Sequence, residues 1–195
     1  GLGGDVARRP ARRLVEAADA VVPGNRYLGE FAHLHRKQAH ITLIPTCVEP
    51  SKYPIADHSR PAGQVKLVWL GSSSTLQGIE QQCGMIDAIA DAVPRATFKI
   101  ICDRFPTFEH MPVEAVVWSE TTEAVELADA DIGIGWVPDD PWSRGKCGLK
   151  LLQYQAAGLA VIANPVGVQA EITQYGQTGK LAQSTGEWVD RKSVV

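Results

Sequence analysis

Three cations stand close together late in the chain, in the run Arg144-Gly145-Lys146-Cys147-Gly148-Leu149-Lys150. An apolar run precedes them (132–137), a helical pattern follows (146–157), and a second apolar run closes the unit (159–163). This reads strand, loop, helix, strand. The N-terminal end of a helix carries partial positive charge, which favours anions and disfavours cations. Three cations placed against that preference imply an anion held between them and the helix end, and a diphosphate fits that need. The guanidinium of Arg144 also matches the geometry of phosphate oxygens. Lys146, Lys150 and Gln153 recur at i, i+4 and i+7, on one face of the expected helix, with Leu149, Leu152 and Ala156 on an adjacent apolar face. One side can then pack while the other meets a ligand. Spacing alone equally admits a surface helix with solvated lysines.

Other residues could complete such a site. Gly71-Ser72-Ser73-Ser74-Thr75 joins an apolar strand (65–70) to a helix. Gly71 and Ser73 could offer backbone N–H groups and hydroxyls to phosphate. The segment lacks the G-K-[ST] of a P-loop, and an ordinary capped turn reads the same way. Trp118 ends a strand (115–118), where an aromatic ring could contact a nucleobase or simply fill core. Glu120 follows closely and could reach base or ribose, and Cys102-Asp103-Arg104 ends another strand. Asp139 and Asp140 stand after the strand over 132–137, facing a ligand's hydroxyls or only solvent. Arg8, Arg9, Arg12 and Arg13 form a basic cluster, read as a solvated face or as contact with an anionic membrane surface. None of the five histidines has a plausible catalytic acidic or serine partner in its sequence context, so none is assigned to catalysis.

The elements that must position these residues follow from the apolar pattern. Helices are expected over 8–19 and 25–36, with short strands over 20–22 and 41–44. Pro45, Pro50, Pro54 and Pro61 then mark a linker. Beyond it, strands over 65–70, 97–102, 115–118, 132–137 and 159–163 alternate with helices over 74–92, 122–128 and 146–157. Ser74 with Gln77 suggests a capping box, and Gly158 stands where a helix C-cap wants glycine. Apolar strands alternating with amphipathic helices predict an α/β fold, a Rossmann-like doubly wound parallel sheet covered on both faces. Ligands of such sheets bind at the carboxyl ends of the strands. Residues 1–45 are too few for a domain, 46–62 read as linker, and 63–195 form the main domain.

Composition sets the outer bounds. The chain has 195 residues, 45% of them hydrophobic and 21% charged, which suits one globular domain plus a fragment. No apolar run approaches the roughly 18 residues of a membrane span. A net charge of −3 argues against a general nucleic-acid surface. Cys47, Cys83, Cys102 and Cys147 are scattered without metal-ligand spacing and read as reduced, mostly buried thiols of a cytoplasmic protein.

The stretch GKCGLKLLQYQAAGLAVIANPVGV resembles the donor-site helix of group 1 glycosyltransferases of the GT-B architecture, ungapped, through Lys150, Leu151, Tyr154, Ala156, Gly158, Val161, Ala163 and Gly167. ADAVVPGNRYLGEFA, ITLIPTCVEPSKY, VKLVWLGSSSTLQGIE, ADADIGIGWVP and GQTGKLA resemble further segments of that family, in order. The resemblance implies that 1–45 is the tail of an N-terminal acceptor-binding domain and 63–195 a nucleotide-sugar donor domain. It implies sugar transfer to an acceptor hydroxyl with retention, polysaccharide biosynthesis as the setting, and a nucleotide-diphosphate sugar as substrate, with no cofactor and no metal. The partners are then the donor and a sugar or glycan acceptor, in the cytoplasm, with peripheral contact at the inner face of the membrane as a further option. The resemblance implies Arg144, Lys146, Lys150 and Gln153 as donor ligands, and the places of Gly71, Ser73, Trp118 and Glu120 at strand ends add them to the expected site. The Arg and Lys that often follow the first strand of the family's C-terminal domain are absent here, where Ser73 and Gln77 stand near their places.

The chain departs from the family at its paired motif glutamates, whose places hold Gly145 and Gln153. A glutamine oxygen still accepts from a ribose hydroxyl, but the glutamate that faces the sugar has no counterpart, and no catalytic residue is assigned. Asp129-Ala130-Asp131 spells the D-x-D that other glycosyltransferase folds use for a metal, but here it falls at the amino end of a strand, away from the ligand end. Two alternatives stay open: a sugar-nucleotide epimerase of the same architecture, and a non-catalytic relative that binds nucleotide sugar without the glutamates.

Overall fold

The computed structural model describes residues 3–190, with side chains described from residue 10 onward. Helix α1 (Gly3–Ala17), strand β1 (Ala20–Val21), helix α2 (Arg26–His35) and strand β2 (His40–Ile41) form a front unit in which β1 and β2 pair in parallel. The Asn25 side chain caps α2 by accepting the Leu28 N–H at 2.8 Å. The helix expected over 8–19 starts earlier and stops at Ala17, carrying Pro10 inside it.

The main sheet is built from β3 (Val65–Leu70), β4 (Ala96–Cys102), β5 (Val113–Val117), β6 (Ile132–Gly135), β7 (Ala160–Ala163) and β8 (Lys180–Leu181). All neighbours are parallel, in the order β5-β4-β3-β6-β7-β8. The chain starts in the middle at β3, winds outward to β5, then returns to β6 beside β3. The order therefore reverses between β3 and β6, the place where open parallel sheets hold ligands. Both faces of the sheet are covered, as its apolar strands require. Leu67 and Trp69 of β3 enter one core with Phe98, Ile100 and Ile134, while Val68 and Leu70 enter the other with Ile101 and Val161.

Helices α3 (Ser73–Glu80) and α4 (Cys83–Ala92) cover the first face, joined late in the chain by α9 (Thr185–Val189). The single helix expected over 74–92 is thus two. The chain leaves the helical path at Gln81 and Gln82, and Ile79 and Ile86 still both reach the core. The cap also moves: Ser72 is the N-cap, and its N–H reaches the Thr75 hydroxyl at 3.4 Å. Helices α5 (Glu123–Ala128), α6 (Pro141–Arg144), α7 (Leu149–Ala156) and α8 (Gln169–Ile172) connect the remaining strands. Leu151 and Tyr154 of α7 fill the second core, where the Tyr154 hydroxyl accepts the Leu70 N–H at 3.0 Å.

The proline-rich segment 46–62 is fastened along this domain. The Ala56 N–H donates to the Ala157 carbonyl at 2.8 Å, Tyr53 packs on the second core, and Arg60 reaches Asp129 and Asp131, each at 2.9 Å. Arg60 joins a larger ion cluster at the amino end of the sheet. Lys99, with its side chain only 1% exposed, meets Glu114 at 3.1 Å, Glu126 at 2.9 Å and Asp129 at 2.7 Å. Lys66 meets Glu114 and Asp129, both at 2.8 Å. Burial opposes charge on the Lys99 ammonium, but the hydrogen bonds it donates to its carboxylates outweigh this and raise it. Burial likewise opposes the Asp129 carboxylate, yet bonds from Lys66, Lys99 and Arg60 hold it far below the usual carboxylate range. The D-x-D pair is therefore occupied by cationic side chains of this chain.

Candidate functional site

A cleft of about 660 Å³ opens at the carboxyl ends of β3 and β6, against the start of α7. Its shape is set by backbone at two glycines. Gly148 precedes α7 with φ of 70°, in the left-handed region where a Cβ is disfavoured, and a Cβ there would also strike Ile172. Helix α7 consequently begins at Leu149, three residues later than the periodicity predicts, and Lys146 lies in the loop before it. Lys146 and Lys150 both still line the cleft. No side chain caps α7, so its first-turn N–H groups are left without a side-chain partner beside them.

The second glycine is Gly71. A Cβ there would overlap the Trp69 ring and stand 2.7 Å from Lys150 Nζ. Its bare backbone lets the Lys150 ammonium lie 4.2 Å above the centroid of the Trp69 ring, a cation–π contact. Burial, with Lys146 nearby, pushes the Lys150 ammonium down to about 8. Burial lowers Lys146 too, partly offset by Asp140. Among the described residues neither ammonium has a carboxylate within ion-pair distance. Two half-buried cations thus face a cleft whose own carboxylates, Asp103 and Glu123, are bonded to other groups.

The loop after β3 is differently committed. The Gly71 N–H donates to the Ile101 carbonyl at 3.0 Å. The Ser73 N–H and hydroxyl both donate to Asp103, at 2.6 and 2.7 Å, and hold that carboxyl down to about 2. An internal carboxylate therefore occupies the start of α3, and the groups expected to meet phosphate there are already bonded.

At the other edge of the cleft, Trp118 follows β5 and is 48% exposed. Its indole N–H donates to Glu123 at 2.6 Å. The second Glu123 oxygen accepts from the Gln153 amide at 2.5 Å, and the same amide donates to the Tyr53 hydroxyl at 3.2 Å. Glu120 lies in an exposed turn outside the cleft, whereas Glu123 lines it. Sequence reading missed Glu123 because an acid in the first turn of a helix is explained by the helix dipole alone.

Arg144 is set apart from the lysines. Its guanidinium makes a two-pronged pair with Asp139, at 2.7 and 3.0 Å, and lines a separate cavity of about 320 Å³ with Asn25, Tyr27 and Glu30 of the front unit. Asp140 caps α6 through the Ser143 N–H at 2.7 Å. Asp139 and Asp140 thus have local partners. The Ser143 hydroxyl is buried beside the cleft without a partner among the described residues, which no sequence signal announced. The front unit is joined to this region by the Asn25 amide, which donates to the carbonyls of Arg144 and Lys146 at 3.3 and 3.0 Å.

In the basic cluster, Arg12 pairs with Glu16 at 2.7 Å on an exposed face, while the side chains of Arg8 and Arg9 lie outside the described residues. No described helix is long and apolar enough to cross a membrane. No three described His, Cys, Asp or Glu side chains gather as metal ligands.

The sequence matches no family model and no curated protein. Its fold does match solved structures. A TarM mutant of S. aureus, solved with fondaparinux, α-GlcNAc-glycerol and UDP, superposes with a TM-score of 0.69 at 11% identity, over 97% of this chain and 39% of that one. Sucrose-phosphate synthase of Thermosynechococcus elongatus gives 0.66 at 19% identity, over 95% and 51%. WaaG, a glycosyltransferase of lipopolysaccharide biosynthesis, gives 0.66 at 13% identity, over 89% and 53%. These neighbours are GT-B glycosyltransferases, and the six-stranded parallel domain has their Rossmann-like fold. The chain spans about two-fifths to one-half of their length.

Proposed function

We propose that this chain carries the nucleotide-diphosphate site of a sugar-transferring enzyme. The observation behind this reading is the pair Lys146 and Lys150, two desolvated ammonium groups without carboxylate partners at the uncapped start of α7. Keeping such cations in a cleft is unfavourable unless an anion completes the charge. A diphosphate would sit against both lysines and the first-turn N–H groups. The exposed ring of Trp118 would take the base, and Gln153 the ribose. Arg144 is left out of the diphosphate shell because Asp139 already neutralises it.

In the intact protein a sugar would pass from the nucleotide to an acceptor hydroxyl, with retention at the anomeric carbon. The lysines and helix end would stabilise charge developing on the leaving diphosphate, the task a divalent metal performs elsewhere. Transfer is assigned to a longer protein in which an acceptor side faces this cleft; the chain as given is expected to bind donor without turnover. The setting proposed is the cytoplasm, with contact at a membrane surface through the acceptor, in the making of an envelope glycan.

Calorimetric titration with UDP, GDP and ADP tests this reading, beside a Lys146→Ala, Lys150→Ala double variant. Saturable binding of one nucleotide that the variant loses supports it and identifies the base. A folded protein that binds none of the three overturns it.

A further inference from the structure

We infer that Glu123 is a positioning residue: it orients the Gln153 amide so that its oxygen is the atom offered to the cleft, and the cleft thereby selects a ribonucleotide over its 2′-deoxy form. This rests on the reading of the cleft as a nucleoside-diphosphate site.

A glutamine amide has two nearly isosteric ends, one a donor and one an acceptor. Which end faces a ligand decides what the residue can recognise. The Gln153 side chain is only 6% exposed, so water cannot easily satisfy both arrangements. An ionised carboxylate accepts hydrogen bonds and donates none. With Glu123 at 2.5 Å, only the NH2 end of Gln153 can face it, and the Tyr53 hydroxyl takes a bond from the same nitrogen. Both amide protons are then engaged. The polar atom left on this cleft-lining side chain is its oxygen, for which no partner is found among the described residues.

Glu123 is itself held on its other side by the Trp118 indole N–H. Trp118, Glu123, Gln153 and Tyr53 therefore form one hydrogen-bonded row, the first three lining the cleft, drawn from the loop after β5, the start of α5, α7 and the segment before β3. A ribose places hydroxyl donors next to its base. An amide oxygen on a side chain that shares Glu123 with the Trp118 indole, with unused lone pairs on that carboxylate, presents acceptors to such hydroxyls. The negative charge that position 153 lacks stands one hydrogen bond further back, at position 123.

The test measures binding of UDP, GDP and ADP against their 2′-deoxy forms. The wild-type protein is expected to prefer the ribo form about five- to tenfold, the size of one well-placed hydrogen bond. Glu123→Gln removes the charge that fixes the amide, and the preference should fall to near one while 2′-deoxy affinity is kept. Gln153→Leu, which removes the oxygen itself, should lose the same preference, and adding Glu123→Gln to it should change the preference no further, which a merely structural role of Glu123 would not produce. Glu123→Asp, which draws the carboxylate back from the amide and should lower the preference likewise, carries the test if Glu123→Gln fails to fold. Wild-type protein that binds ribo and 2′-deoxy forms equally, or Glu123→Gln protein that keeps the preference, overturns the role of Glu123 alone. Wild-type protein that binds no diphosphate overturns the nucleotide reading and this inference together.

Discussion

Lys99 and Lys150 belong to opposite ends of one sheet and illustrate two uses of a desolvated ammonium. At the amino end, Lys99 is enclosed by Glu114, Glu126 and Asp129, and its charge is reinforced. At the carboxyl end, Lys150 lies over the Trp69 ring, and its charge is weakened to the point where it titrates near 8. Both cations are costly to desolvate. The first cost is offset within the fold by three carboxylates; the second is offset only in part, by an aromatic face. An uncompensated cation destabilises the free protein, and binding an anion relieves it. The difference separates residues that hold the structure from residues that await a ligand, although lysine is the residue type in both places.

The largest expected effect breaks the amino-end cluster. Lys99→Ala should lower stability by about 3 kcal/mol, because it leaves carboxylates without their cation and a cavity beside the sheet. Urea unfolding would read this, and nucleotide binding by the folded fraction should persist. The next effect has the opposite sign on stability. Lys150→Met should raise stability by about 1–3 kcal/mol, from the lowered ammonium, while lowering diphosphate affinity by more than tenfold in the same preparation. A loss of stability instead would place Lys150 among the structural cations.

The two ends should also respond to pH in different windows, both gaining stability as pH rises, while only the carboxyl end loses ligand affinity. Lys150 gives up its proton near 8 in the folded protein, below its ordinary 10.5. Diphosphate affinity should therefore weaken as pH rises through 8, by up to about tenfold per unit. Over the window from about 8 to 10.5 the unfolded chain holds the proton that the folded chain lacks, so this group's contribution to stability rises with pH. Asp129 has its pKa lowered by its cations, so its contribution is full above its ordinary 3.8 and is lost as pH falls below that value. Titration calorimetry across pH 7–10 and unfolding across pH 2–6 check the two signs. The smallest effect concerns Arg144. Arg144→Ala should change diphosphate affinity less than twofold and leave stability almost unchanged, since its pair with Asp139 is exposed. A tenfold loss of affinity would return Arg144 to the diphosphate shell.

Much of the architecture was legible because it is periodic. The run 65–70 reads as a strand buried on both faces, and in the structure Leu67 and Trp69 enter one core while Val68 and Leu70 enter the other. Boundaries were less legible wherever one residue's backbone overrides a pattern. Gly148 adopts a left-handed conformation, so Lys146 leaves the helix that its spacing suggests. In the site, residue type identified Lys146, Lys150, Gln153 and Trp118 as lining the cleft, but not the partners that decide their state. Ser73 carries donors suited to phosphate, yet Asp103, thirty positions later, already accepts them. Glu123 looks like any acid that begins a helix until folding brings Gln153 and Trp118 to its two oxygens.

The sequence by itself determined the alternation of strand and helix, and hence a parallel sheet with a ligand end. Those properties depend on local spacing of apolar residues, which any stretch of chain carries with it. Only the tertiary structure decided which charges are neutralised and which are left waiting. Neutralisation depends on distances of about 3 Å between groups that come from separate strands and helices. Two lysines of the same intrinsic chemistry become a structural tie and a candidate anion receptor because three carboxylates converge on Lys99, while Lys150 meets a tryptophan ring.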